Sequence, residues 1–211
     1  MNQSEIFKTG EGDAWFDRNK SALELGGKSV DTQFIEETLK YFHEEINSIL
    51  EIGCADGRKL EALCESFAAR GVGIDPSKKA IDSGLARTKR SLDLKVGTLE
   101  DVELNDGQFD MVFFGFCLYL IPRDKLQEML AKADKLIRDG GFLIITDFDP
   151  LKSIVNKYSH ADDVFSYKED YGRYFIEKGY FLIEKHSFSH YSDSFSKDSN
   201  ERVSVQILFK G

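Results

Sequence analysis

Ile49-Leu-Glu-Ile-Gly-Cys-Ala-Asp-Gly57 decides the fold. Its first four residues are a short, nearly apolar run bearing one acid, and it breaks at Gly53. Leu60, Leu63, Cys64 and Phe67 then recur at i, i+3, i+4 and i+7, one face of a helix. A buried strand entering a glycine turn and then a helix is the first half of a βαβ unit. Gly71-Val-Gly-Ile74 repeats the strand pattern and stops at Asp75-Pro76. Ser77 is placed to cap the next helix, whose inner face is Ala80, Ile81 and Leu85.

The alternation continues outward. Leu92 to Val96 and Phe109 to Phe114 read as the third and fourth strands. Leu126, Met129, Leu130, Ala133, Leu136 and Ile137 mark a long helix expected to close at Asp139-Gly140-Gly141. Phe142 to Thr146 is a fifth, fully apolar strand. Right-handed crossovers between such strands give a parallel doubly wound α/β sheet. The tail breaks the rule: Tyr180 to Phe188 and Val203 to Phe209 are strand-like with only polar sequence between them, so they should pair antiparallel at one end. The expected order is 3-2-1-4-5-7-6. Before the first strand, Asp31 to Glu44 reads as a helix with Phe34, Leu39 and Phe42 inward.

The 211 residues suit a single domain, with an N-terminal helical cap over 1–45 and a sheet core over 46–211 carrying an insertion around 150–178. Lys and Arg total 28 against 37 Asp and Glu, a net charge of −9 that argues against a nucleic-acid binder. Cys54, Cys64 and Cys117 form no CxxC pair, and they join His43, His160, His186 and His190 in no metal-ligand spacing. No uncharged apolar run reaches membrane-spanning length. A cytoplasmic protein without membrane insertion is expected.

The glycine turn and the acid at the end of the second strand form the common plan of nucleoside-binding sheets, in which Asp75 accepts the ribose hydroxyls. A dinucleotide needs G-x-G-x-x-G to lay its pyrophosphate on the helix N-terminus. Here Ala55 stands between Gly53 and Gly57, Arg58 follows, and Asp56 would oppose a phosphate. S-adenosylmethionine carries no phosphate and two cationic centres, so Glu51 and Asp56 suit it. An ordinary strand–helix turn, with Asp75 a mere capping acid, is the alternative.

These motifs resemble the class I S-adenosylmethionine-dependent methyltransferases, from Ile49 to the C-terminus. Their E-x-G-x-G-x-G signature is similar to Glu51-Ile-Gly-Cys-Ala-Asp-Gly57, with Ala55 at the middle glycine. Asp75-Pro76 is similar to their second acidic turn, and Gly97-Thr98-Leu99-Glu100 to the turn beside the adenine. Phe109 to Leu118 resembles their fourth-strand segment, and Leu136 to Gly141 their turn before the fifth. The resemblance implies S-adenosyl-L-methionine as cofactor and methyl transfer to an O, N or C nucleophile of a small molecule. It implies cofactor contacts from Glu51, Gly53, Cys54, Ala55, Asp56, Gly57, Asp75, Pro76, Thr98, Leu99, Phe114 and Phe116. Where many small-molecule members carry a histidine pair, Tyr119-Leu120 stands, so Tyr119 is the catalytic candidate. Residues 12–19 and 160–174 resemble methylases of bacterial surface-sugar biosynthesis. Acceptor specificity should come from segments added above the carboxyl ends of the strands, so Trp15, Arg18 and His160 are expected to touch the acceptor. An NAD-dependent oxidoreductase and a non-catalytic binding module are the alternatives.

Overall fold

The computed structural model describes residues 2–25, 29–42 and 45–211. Three helices, α1 (Gln3–Ile6), α2 (Gly12–Leu25) and α3 (Val30–Leu39), precede the first strand, with a π-helical turn, Phe7–Glu11, linking α1 to α2. The sheet then builds by alternation: β1 (Ser48–Ile52), α4 (Arg58–Ser66), β2 (Arg70–Asp75), α5 (Lys78–Arg87), β3 (Leu92–Val96), β4 (Phe109–Gly115), α6 (Arg123–Leu136) and β5 (Ile137–Phe148). A small hairpin, β6 (Ile154–Lys157) and β7 (Phe165–Lys168), and α7 (Gly172–Ile176) lead to β8 (Phe181–Ser189) and β9 (Arg202–Phe209).

The seven-stranded sheet has the order β3-β2-β1-β4-β5-β9-β8. Strands β1 to β5 are parallel, and β9 runs antiparallel to both β5 and β8. This is the expected order, with β8 and β9 as sixth and seventh strands. Successive residues serve opposite faces, as the pleat requires. Ile49, Met111, Phe113 and Ile144 pack under α3 and α4, whereas Leu50, Val112, Phe114 and Ile145 pack against α6 and α7. Met111 to Phe114 are all fully buried, each worth about 1.5–3 kcal/mol of transfer free energy.

Three local expectations are corrected. The helix α6 ends at Leu136, not at the glycines: Ile137 already pairs with Phe109, and Gly140, at φ +73°, turns within β5 so that its N–H reaches the Lys210 carbonyl. The inner face of α5 is Ala80, Ile81 and Gly84, while Leu85 is exposed. Gly84 lies so close to the Asp56 carbonyl that a Cβ would sit 2.5 Å from it, and this close approach turns Leu85 outward. The helix expected over Asp31 to Glu44 runs only from Val30 to Leu39, with Ile35 rather than Phe34 fully buried; Glu44 lies outside the described residues.

Candidate functional site

The turn after β1 is tied to the end of β2 by its backbone. The N–H groups of Gly53 and Cys54 both donate to the Ile74 carbonyl, at 2.8 and 3.1 Å. Gly53 has φ +77°, and a Cβ there would lie 2.7 Å from Cys117 Cβ, so this position demands glycine. Ala55 holds φ +47° in the left-handed region without being glycine. Its N–H donates to Asp75 Oδ2 at 2.8 Å, and the Ser77 N–H donates to Asp75 Oδ1 at 2.8 Å. These two bonds hold the carboxylate in place against the strain of the turn. Burial pushes the Asp75 carboxyl up to about 6, and the two N–H donors oppose that rise.

A cavity opens at the carboxyl ends of the parallel strands, the side on which open α/β sheets bind their ligands. Its floor is Gly53, Ala55, Asp75, Pro76, Thr98 and Leu99, from the ends of β1, β2 and β3. The end of β4 contributes Gly115, Phe116 and Cys117, and the following 3₁₀ turn, Leu118–Leu120, contributes Tyr119 and Leu120. The N-terminal helices lie over it through Ser4, Phe7, Gly12 and Trp15.

Those helices are fastened all round the rim. Asp13 Oδ1 accepts from Ser77 Oγ at 2.7 Å and from the Lys79 N–H at 2.9 Å, so it joins Ser77 in capping α5. Lys8 pairs with Asp101 at 2.7 Å, and Asp101 in turn holds the Thr98 N–H and hydroxyl, each at 2.8 Å. Gln3 donates to the Phe165 carbonyl and accepts from the Phe165 N–H, which joins the cover to the β6–β7 hairpin. Glu11 accepts from Tyr158 at 2.9 Å and pairs with Arg18.

The sequence candidates divide. Trp15, Gly53, Ala55, Asp75, Pro76, Thr98, Leu99, Phe116 and Tyr119 line the cavity. Glu51, Cys54, Asp56, Gly57, Phe114, Arg18 and His160 stand outside its lining. Phe114 is core against α6, because strand alternation turns it to that face. Asp56 binds Arg58 at 2.8 Å, Cys54 faces Gly73, and Gly57, at φ +74°, opens α4. Arg18 is spent on Glu11 and Tyr158, and His160 lies edge-on to Tyr158 at 5.4 Å beside a separate surface depression.

Glu51 lies one layer below the cavity. Its side chain fills the space beside Gly115, where a Cβ would meet Oε1 at 2.6 Å, and its Oε2 is buried without a protein partner. Burial pushes this carboxyl up to about 8. Tyr119 is buried, and burial drives its hydroxyl well above the ordinary tyrosine value, so it stands as a neutral donor. Asp147, at the end of β5, accepts the Tyr119 N–H at 3.2 Å and the Phe148 N–H at 2.8 Å, which sets the 3₁₀ turn; burial pushes it up to about 7. Asp147, and Ser4, Phe7, Gly12 and Asp13 of the cover, carry no local sequence signal, because their partners are remote in the chain.

Among the described residues, Asp75 is the one charged residue lining the cavity. A pyrophosphate would find no cation there, whereas a phosphate-free nucleoside bearing positive charge finds an acid and a glycine turn open to its backbone. The residues present therefore fit S-adenosylmethionine: Asp75 would take the ribose, Thr98 and Leu99 the base, and Gly53 and Gly115 the amino-acid end.

Residues 49–141 match the Methyltransferase domain family. That stretch runs from β1 into β5 and carries the glycine turn, Asp75 and the rest of the cavity floor. Among relatives, the chain is 24% identical over 127 residues to an uncharacterized methyltransferase of Synechocystis sp., covering 60% of this chain and 58% of that protein, somewhat over half its length. The fold is shared with solved structures of low identity. One is 1,6-didemethyltoxoflavin-N1-methyltransferase of Burkholderia thailandensis, with 1,6-didemethyltoxoflavin and S-adenosylhomocysteine bound (TM-score 0.75, 12% identity, 98% of this chain and 88% of that one). Another is an S-adenosylmethionine-dependent methyltransferase of Clostridium acetobutylicum (TM-score 0.64, 14% identity, 95% and 99%). Among the described residues, no helix is long and apolar enough to cross a membrane.

Proposed function

We propose that the chain transfers a methyl group from S-adenosylmethionine to a small-molecule acceptor held between the end of β4 and the N-terminal helices. The observation that carries this reading is a cavity with one charge, the Asp75 carboxylate, beside a glycine turn, continuing without a break to an aromatic end. The cofactor, when bound, supplies a sulfonium-activated methyl that leaves by in-line displacement. The chain's part is positioning and exclusion of water. Asp75, fixed by the Ala55 and Ser77 N–H groups, orients the ribose. The Gly53 turn would permit close approach of the amino-acid end, and Tyr119, Phe116 and Trp15 wall the end of the cavity where an acceptor would sit. The Burkholderia relative in fold binds a small molecule in addition to S-adenosylhomocysteine, which supports an acceptor of that size. The resemblance of residues 12–19 and 160–174 to surface-sugar methylases finds no support in the geometry, since Arg18 and His160 stand outside the cavity lining.

Thermal unfolding with S-adenosylhomocysteine and with NAD tests the reading, since a ligand specific to the folded state raises Tm. S-adenosylhomocysteine should raise it by several degrees at saturating concentration and NAD should leave it unmoved; the reverse result would replace the reading with a dinucleotide enzyme.

A further inference from the structure

Asp75, at the end of β2, and Phe116, past the end of β4, stand two strand spacings apart with β1 between them, roughly 10 Å across the sheet. The cavity's character changes over that distance. At the β4 end the walls are the rings of Trp15, Phe116 and Tyr119, with Leu120 beside them. Burial keeps the Tyr119 hydroxyl protonated, the Cys117 thiol is turned to the Ile52 carbonyl at 3.3 Å, and the Trp15 indole has only an N–H to give.

The bases nearby are turned away or already engaged. Asp147 accepts the backbone N–H groups of Tyr119 and Phe148 and is not part of the lining. His190 stacks on Phe116, ring centroids 5.1 Å apart and planes at 16°, and also stands outside the lining. Burial holds His190 below its ordinary pKa, with Lys168 acting in the same direction. Lys168 itself lies 3.8 Å from the Phe148 ring centre and donates to the Asn200 carbonyl. Tyr158, a further titratable neighbour of Tyr119, donates to Glu11. No lining residue at this end offers a cation to a phosphate or carboxylate, nor a carboxylate to an ammonium, and such a group would be buried unpaired.

The geometry points to an acceptor that is a planar heteroaromatic compound without phosphate, carboxylate or ammonium, presenting a neutral ring nitrogen whose lone pair is free at neutral pH. This deepens the proposed methyl transfer and rests on it. The acceptor's lone pair forms the new bond to the methyl carbon. The sulfur–carbon bond breaks with its electron pair left on sulfur, so the positive charge passes from sulfur to the methylated nitrogen and no proton has to leave. No protein base is required. The flat rings of Phe116 and Trp15 supply stacking contact, and the Tyr119 hydroxyl supplies one orienting donor.

Trp15 is the one tryptophan of the chain, so its emission reports on this end of the cavity. The full chain saturated with S-adenosylhomocysteine is titrated with lumazine and 8-hydroxyquinoline as planar probes and with glucose 1-phosphate and ethanolamine as charged, saturated ones, by calorimetry and by Trp15 fluorescence. The planar probes should quench the emission and bind at least about tenfold more tightly than the other two, a difference of one decade in Kd. Phe116→Leu should weaken the planar probes by roughly tenfold, and Trp15→Leu, read by calorimetry, gives the same test should the first variant fold poorly. Equal or tighter binding of glucose 1-phosphate or ethanolamine, or no binding of either planar probe, overturns the acceptor class. Failure of S-adenosylhomocysteine itself to bind falls instead on the proposed methyl transfer.

Discussion

The floor and the cover of the cavity are held by opposite means. The floor is joined main chain to main chain: Gly53 and Cys54 on the Ile74 carbonyl, and Gly97 on the Asp75 carbonyl. The cover, α1 to α2 with the β6–β7 hairpin, is held by side chains: Asp13 on Ser77, Gln3 on Phe165, Glu11 on Tyr158, Lys8 on Asp101. A backbone ladder between parallel strands tolerates changes of side chain but not of backbone conformation. A cover fastened by single hydrogen bonds and ion pairs can be loosened one fastening at a time, as a site that admits and releases ligands requires.

That contrast can be broken most forcefully at Gly53. Gly53→Ala imposes a left-handed conformation on a residue with a Cβ and drives that Cβ into Cys117; a loss of about 2–4 kcal/mol is expected. Denaturant unfolding measures it, and an unchanged midpoint would show that the floor yields as easily as the cover. Asp75→Ala comes next. It should weaken S-adenosylhomocysteine at least about tenfold, the loss of one or two charge-assisted hydrogen bonds, as read by calorimetry on the folded variant. If Kd holds, Asp75 serves only the Ala55 and Ser77 N–H groups.

On the cover, Asp13→Ala removes a cap from α5 and the clamp from the N-terminal helices. A stability loss of about 1 kcal/mol is expected, with S-adenosylhomocysteine dissociating several-fold faster in stopped-flow fluorescence. A dissociation rate equal to that of the parent would mean that the cover does not gate the cavity.

The smallest effect is in pH. In the ligand-free chain, burial pushes Glu51 up to about 8, Asp147 to about 7 and Asp75 to about 6. Above the ordinary carboxylate range, near pH 4, the unfolded chain has released these protons while the folded chain still holds them. Unfolding therefore releases protons, and these groups make stability fall as pH rises from about 4 to about 8. Tm of the free protein should be higher near pH 5.5 than near pH 8, and Glu51→Gln should flatten the upper part of that slope. If Glu51→Gln leaves the slope as it is, Glu51 is charged in the folded chain and its orphaned Oε2 is solvated.

Much of the floor is legible in Ile49 to Gly57 because its requirements are local. An apolar run, a residue forced to positive φ and a helical period each occupy a few consecutive positions. Even so, local reading misplaced Gly140-Gly141, since only the pairing of Ile137 with Phe109 reveals that β5 has already begun. It also placed Leu85 inward, because the approach of Gly84 to the Asp56 carbonyl belongs to two separate elements. Phe114 and Phe116 look alike in the sequence. The pleat sends Phe114 into the core, while a left-handed residue, φ +61°, brings Phe116 to the cavity wall.

By itself the sequence determined the order of strands and helices, the antiparallel tail, the glycine turn and the acid at Asp75, because hydrophobic period and backbone conformation act between near neighbours. Only the tertiary structure decided what covers the cavity. Asp13 meets Ser77, Glu11 meets Tyr158 and Gln3 meets Phe165 across 64, 147 and 162 residues of chain. Such contacts arise from the folding of the whole sheet, which brings the two distant segments over the same strand ends.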